Sequence, residues 1–244
     1  MTQRLIKTFL NTIIPPTCPG CHIPVDQDHD ICPKCWKSLE FIVLPFCDNC
    51  AEPLDISGVS EEIYTCGKCQ QTPPRFSQTR ALFKYNGLAR HLILGLKHGN
   101  ATHLASNLSS KACLHHSNYI QDADIIIPVP LHWSRLLKRG YNQASLLAKY
   151  IARNCQIPLQ TNILLRNRRT ASQGNYGKKA RLRNVQSAFT LSDKEKNSIA
   201  NKTVLLVDDV MASGATLNEC SKVLLTANAK KVKVLVIAKS TLII

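Results

Sequence analysis

Apolar positions divide the chain into two unequal parts. From residue 78 onward, short continuous apolar runs alternate with longer amphipathic stretches. Residues 78–85 read as a strand, with Asn86-Gly87 as the turn that follows. Helices are expected over 88–97 and 101–115, on either side of Gly99-Asn100. Ile125-Ile126-Ile127 marks a buried strand over 124–129, ended by Pro128 and Pro130. Residues 140–155 place Leu146, Leu147, Tyr150 and Ile151 on one face of a helix. A short strand is expected at 161–165 and a polar, basic loop over 166–183. A buried strand at 203–207, a helix at 215–227 and a last strand at 231–238 complete the series. Strands that are apolar throughout and separated by helices specify a parallel sheet covered on both faces.

Residues 1–74 show no such alternation. Met1 to Ile14 reads as a short amphipathic helix stopped by Pro15-Pro16. The next sixty residues hold eight of the eleven cysteines, in four Cys-x-x-Cys pairs: Cys18/Cys21, Cys32/Cys35, Cys47/Cys50 and Cys66/Cys69. Two intervening residues let a tight turn aim both sulfurs at one metal ion. Zinc prefers four thiolates in a tetrahedron, so eight thiolates imply two closed structural Zn²⁺ sites. Pairs one with two and three with four is the simplest assignment; an interleaved one stays open. A disulfide framework would need an oxidising compartment. Cys113, Cys155 and Cys220 fall in helical patterns and are expected to be buried thiols, and four complete pairs leave no vacancy for His22 or His29. The division expected is a zinc-binding double-ribbon module over 1–74 and an α/β domain over 75–244.

Composition supports a real core: 44% of the residues are hydrophobic. No apolar run reaches the roughly 18–20 residues of a membrane helix. The start lacks a clean apolar centre and a cleavage site, so a cytoplasmic location is expected. Net charge is +15, unevenly spread. Residues 1–75 sum to −3 and the remainder to +18. Between Asp124 and Asp193 there is no acidic residue, against twelve basic ones. A field of one sign concentrates anions, which points to phosphates or nucleic acid.

The candidate chemistry lies at strand ends. Val204-Leu205-Leu206-Val207 delivers Asp208 and Asp209 at its end, followed by the small-residue loop Ala212-Ser213-Gly214-Ala215-Thr216 and a helix. Ligands of open parallel sheets bind at the carboxyl ends of strands. The loop amides and the helix N-terminus favour a phosphate. Ser213 and Thr216 add hydroxyls, and Gly214 permits close backbone approach. A second strand end runs into Pro130-Leu131-His132, Arg135 and Arg139, then Tyr141-Asn142-Gln143, a further anion site. The basic loop brings Arg166, Arg168, Arg169, Gln173, Lys178, Lys179, Arg181 and Asn184, and is read as a cationic lid. Trp133, Tyr141 and Tyr176 are candidate stacking surfaces for single-stranded nucleic acid within the acid-free stretch.

The segment from Val204 to Leu217 resembles the phosphoribosyl-pyrophosphate motif of type I phosphoribosyltransferases. That resemblance implies a type I phosphoribosyltransferase-like parallel sheet. It also implies ribose hydroxyl contacts, and indirect Mg²⁺ contact, for Asp208 and Asp209. The 5′-phosphate would be wrapped by residues 212–216, and Arg168 and Arg169 would act in the catalytic loop. One hydroxyl usual before the glycine is Ala212 here. Four cysteine pairs, then Pro128-Val129-Pro130-Leu131-His132, Arg139-Gly140-Tyr141-Asn142-Gln143, Gln173, Arg181 and Asn184, and the Val207-Asp208-Asp209-Val210 loop, together resemble the ComF family, which includes GntX-type proteins. This resemblance spans nearly the whole chain. It implies handling of imported single-stranded DNA in natural transformation, alongside a competence helicase and the uptake machinery. Three functions stay open: a phosphoribosyl-pyrophosphate-binding protein that supports DNA uptake, an active phosphoribosyltransferase, and a zinc-ribbon adaptor with a vestigial sugar-phosphate site.

Overall fold

The structure is a computed structural model that describes residues 15–26, 30–56, 63–98, 101–168, 187–192 and 195–241. Its centre is a parallel sheet of four strands in the order β1-β6-β5-β2. These are β1 (Gln78–Lys84), β2 (Ile125–Pro128), β5 (Thr203–Met211) and β6 (Lys231–Lys239). β5 and β6 are the inner strands, which is why their sequences are apolar almost throughout. Leu159 extends the sheet beyond β2 through a single parallel bridge to Ile126. A separate antiparallel pair, β3 (Leu164–Arg166) and β4 (Phe189–Leu191), stands beside it.

Helices cover both faces. Two short ones lie in the cysteine-rich part, α1 (Pro33–Lys37) and α2 (Gly67–Gln71). α3 (Gly87–His98), α4 (Leu104–His115), α5 (Ser117–Gln121) and α7 (Gln143–Cys155) follow β1 and β2, and α8 (Ala215–Thr226) follows β5. α4 and α7 enclose an apolar layer around Leu92, Leu108, Leu147 and Ile151 with one side of the sheet. The opposite layer holds Val204, Leu206, Val234, Val236, Leu217 and Leu224. Both layers are mainly aliphatic, with Phe76 and Phe189 in one and Phe83 in the other, and burial of this apolar surface drives the fold.

The helix expected over 140–155 forms as α7, three residues shorter at its start, and a separate short helix precedes it. α6 (Trp133–Arg139) ends at Gly140, whose φ of 80° makes it a left-handed cap donating its N–H to the Leu136 carbonyl. α7 then starts afresh, with Asn142 as its N-cap. Glycine closed a helix there rather than opening one. β5 is also longer than expected: it continues through both aspartates to Met211, because β6 pairs with it as far as Lys239. β3 sits at Leu164–Arg166, so Arg166 belongs to a strand, not to the loop. Among the described residues no helix is long and apolar enough to cross a membrane.

Candidate functional site

β2 and β5 are neighbours, with Pro128 paired to Val207. Their carboxyl ends therefore open side by side, and the two segments singled out in the sequence meet there. They line a cavity of about 340 Å³. Asp208, Asp209 and the loop from Ala212 to Thr216 form one wall, and Pro130 and Leu131 another. Gly214 has a φ of 79°, and a Cβ there would lie 2.7 Å from the Met211 methyl. Only glycine takes this turn without strain. The Ser213 hydroxyl accepts from the Ala215 N–H (3.4 Å), at the first turn of α8.

The second wall is anchored by Asn142. Its carboxamide oxygen accepts from the Ala144 N–H (3.0 Å), while its nitrogen donates to the Val129 carbonyl (3.0 Å). The start of α7 is thereby tied to the end of β2. Arg139 Nη1 donates to Gln143 Oε1 (2.7 Å). Gln143 is buried, and its Nε2 has no hydrogen-bond partner among the described residues. A buried donor left idle at a cavity wall is costly unless a ligand or water accepts from it.

Cations surround the carboxylates. Arg135, Arg139 and Arg166 line the cavity. The Arg166 guanidinium also lies over the Phe189 ring, its central carbon 5.2 Å from the centroid; burial first, and Arg135 next, work against its charge. Lys97 was not singled out in the sequence. It comes from the end of α3 and places Nζ 3.1 Å from Asp209 Oδ1. Its only signal was a basic residue at the last turn of a helix, which is commonplace. Asp208 Oδ1 accepts from the Asp209 N–H (2.9 Å). Burial first, and the adjacent Asp209 carboxylate second, push the Asp208 carboxyl up to about 7. The pocket thus holds one ion-paired acid and one that titrates near neutrality, facing three arginines.

Other residues singled out lie elsewhere. His132 is buried and caps α6, its Nδ1 accepting from the Ser134 N–H (3.3 Å). Tyr141 donates its hydroxyl to the Leu96 carbonyl (2.7 Å) and so braces α3. Neither lines the cavity. Trp133 is 64% exposed at the start of α6. Arg168 is the last described residue before the basic loop; Arg169, Gln173, Tyr176, Lys178, Lys179, Arg181 and Asn184 lie outside the described residues, as do residues 1–14 and His29.

The cysteines gather into two groups, Cys18/Cys21/Cys32/Cys35 and Cys47/Cys50/Cys66/Cys69, with all sulfurs of a group within 4.8 Å of one another. This is the sequential pairing, not the interleaved one. Sulfur separations of 3.6 Å (Cys21–Cys32) and 3.7 Å (Cys50–Cys66) match the edge of a Zn–S₄ tetrahedron, about 3.8 Å, and exceed the disulfide length of about 2.05 Å. Backbone amides add support: the Cys32 N–H points at Cys18 Sγ (3.4 Å) and the Cys66 N–H at Cys47 Sγ (3.3 Å). Both groups fit structural zinc in donor type, number and spacing. Of the remaining cysteines, Cys155 and Cys220 are buried and Cys113 is half-buried.

A family model described as a double zinc ribbon domain matches residues 9–72. One described as a phosphoribosyl transferase domain matches residues 136–241. Competence protein F of Haemophilus influenzae is 30% identical over 86% of this chain and 90% of its own length. Competence protein ComFC of Bacillus subtilis is 26% identical over 81% and 79%. Among solved structures, a purine phosphoribosyltransferase from Pyrococcus horikoshii aligns with 55% of this chain and 83% of its own at 15% identity, with a TM-score of 0.34.

Proposed function

Because the chain belongs to the ComF family of competence proteins, a double zinc ribbon joined to a phosphoribosyltransferase-like domain, we propose that it binds phosphoribosyl pyrophosphate with Mg²⁺ and supports the handling of imported single-stranded DNA in natural transformation. The observation that carries this reading is the cavity where the Asp208-Asp209 strand end meets the loop from Ala212 to Thr216 under three arginines. The loop amides and the α8 N-terminus take the 5′-phosphate. Asp208 and Asp209 take the ribose hydroxyls and stand where a Mg²⁺ carried by the pyrophosphate would be met. Arg135 and Arg139 balance the pyrophosphate charge, and the idle Gln143 Nε2 donates to one of its oxygens. Residues 1–74 are the zinc module in this division, and 75–244 the sugar-phosphate domain. The protein acts in the cytoplasm on this reading, with the competence helicase and uptake machinery as its partners.

The same cations favour a second reading, transfer of the phosphoribosyl group to an acceptor, since a cationic wall stabilises departing pyrophosphate. Calorimetry with phosphoribosyl pyrophosphate and Mg²⁺ tests the first reading. Binding is expected for the native protein and is lost in the Asp208→Asn/Asp209→Asn variant; no heat with the native protein overturns it. Pyrophosphate release in the presence of candidate bases or amines tests the second. The DNA part predicts oligonucleotide binding that weakens with salt and on replacing Arg168/Arg169 or Lys178/Lys179 by alanine. Binding indifferent to salt would sink it.

A further inference from the structure

We propose that Glu52 and Lys239 make the second cysteine centre part of the sugar-phosphate site, so that zinc held there sets the geometry of the phosphate loop. This rests on the reading of the loop given above. Lys239 ends β6, next to Met211 in register, and is only 3% exposed. Its ammonium lies 2.8 Å from Glu52 Oε2 and donates to the Ala212 carbonyl at 3.4 Å. Ala212 is the first residue of the loop that faces the cavity. An ammonium this deeply buried needs a counter-ion, and Glu52 supplies it from the zinc module.

Glu52 is itself held by the cysteine turn. Its carbonyl accepts from the Cys47 N–H (2.8 Å), and the Ala51 N–H donates to the Cys47 carbonyl (2.7 Å). The four thiols fix that turn, so the chain of contact runs from the sulfurs through Glu52 and Lys239 to Ala212. A second contact runs in parallel. Phe76, a few residues past Cys69, packs against Gly214, approaching a Cβ built there to 3.7 Å. The adjacent Arg75 N–H donates to Asn218 Oδ1 of α8 (2.6 Å). Among the described residues, the partly buried hydrophobic residues packed on the first centre are Val25, Ile31 and Leu88, none of which belongs to the phosphate loop.

The experiment uses the full-length zinc-loaded protein and variants Glu52→Gln, Lys239→Met, both together, and Lys239→Arg. Glu40→Gln, whose partner Lys84 lies at the surface, is the control. Zinc content is measured first and is expected to stay at two per chain, which separates positioning from unfolding. Each single variant is expected to weaken phosphoribosyl pyrophosphate binding about tenfold, within the roughly 5–150-fold typical of coupled sites. The double variant is expected to be no weaker than either single one, because one contact is lost once. Lys239→Arg is expected to recover part of the affinity. Coupling is reciprocal, so the ligand is expected to raise zinc affinity at the second centre in a chelator competition and leave the first unchanged. Native-state hydrogen exchange of the 212–216 amides gives a readout without ligand, with faster exchange expected in Glu52→Gln. If the native protein binds ligand and the variants bind as well as it does, the coupling is refuted while the site stands. If the native protein binds nothing, the ligand reading falls and hydrogen exchange decides: unchanged exchange refutes the coupling, faster exchange upholds it.

Discussion

The two cysteine centres share one ligand pattern and one backbone support, and differ in how their thiols are packed. In the first, Cys21 is exposed, and Cys18, Cys32 and Cys35 form a cluster of their own on which Val25, Ile31 and Leu88 pack among the described residues. In the second, Cys47, Cys50 and Cys69 belong to the same apolar cluster as Phe76, Val234, Met211 and Leu217. Polar bonds bind the second centre to β1 as well. The Asp48 carbonyl accepts from the Thr79 N–H (2.8 Å), its carboxylate pairs with Arg80 (2.7 Å), and Asn49 Nδ2 donates to the Ser77 carbonyl (2.8 Å). The first centre reaches the domain through the neighbours of its cysteines. Ile31, Trp36 and Leu88 pack on the other apolar cluster, the Trp36 ring meets Phe83 of β1 at 6.2 Å and the Lys111 ammonium at 5.0 Å, and Asn107 donates to Asp30 at 3.3 Å. The thiols of the second centre lie inside a core cluster of the domain, whereas those of the first form a small cluster of their own that the domain meets through neighbouring side chains. The same four ligands therefore have consequences set by packing, not by coordination.

The comparison is tested most severely by removing one ligand from each centre. A structural zinc site contributes on the order of 10 kcal/mol to small zinc-dependent folds, comparable with a whole domain's stability of about 5–15 kcal/mol. Cys50→Ser is expected to abolish the cooperative unfolding transition of the entire sheet. Cys21→Ser is expected to lower zinc from two to one per chain and leave that transition in place. Thermal melts followed by circular dichroism, with zinc content alongside, check both. A normal melt for Cys50→Ser would erase the distinction drawn here.

Gly214→Ala disturbs the loop while leaving both centres intact. The forced left-handed backbone and the 2.7 Å approach to Met211 are expected to cost about 1–3 kcal/mol. Ligand affinity should fall with zinc still at two per chain, as calorimetry and metal analysis would show. Retained affinity would mean the loop tolerates a shape the structure forbids.

A smaller contrast compares the polar links of β1. Asp48→Ala leaves Arg80 and Gln78 without their shared acceptor and is expected to destabilise by about 1–2 kcal/mol. Glu40→Ala removes a surface pair to Lys84 and should cost less than about 1 kcal/mol. Denaturant midpoints measure the difference, and equal costs would place both ribbon segments on the same footing.

The smallest effect asks whether the loop's own acids respond to pH without help from either centre. The Asp208 carboxyl stands near 7, above its ordinary value, through burial and Asp209. A raised acid favours the folded state when protonated, so this contribution is present below pH 4 and is lost as pH rises to about 7. Asp208→Asn is expected to be more stable than the native protein at pH 8, by on the order of 1 kcal/mol after solvent screening of a half-buried group. The gap should close at pH 4 and be the same in a Cys21→Ser background. A gap independent of pH would assign the effect to shape rather than charge.

Much of this molecule is legible in its sequence. The apolar runs at Ile125–Pro128 and 203–207 read as buried strands, and four pairs with one Cys-x-x-Cys spacing read as metal ligands. Adjacent aspartates before a small-residue turn marked the strand end that opens on the cavity. What was not legible depends on residues distant in sequence. Lys97 became a site residue because α3 ends beside Asp209. Gly140 reads as a turn or a helix start until the positive φ shows it closing α6. His132 and Tyr141 have chemistry suited to a ligand, yet their polar atoms are taken by α6 and by Leu96.

The loop at Val207-Asp208-Asp209-Val210 and the geometry of each Cys-x-x-Cys pair were thus determined locally, because covalent spacing alone brings those atoms within reach. Which cysteine pairs share a centre, and which centre the loop depends on, were decided only by the tertiary structure. Ion pairs such as Glu52–Lys239 join residues nearly two hundred positions apart. No periodicity records such a pair. It exists because the end of β6 buries an ammonium where the cysteine-rich part of the chain supplies a carboxylate.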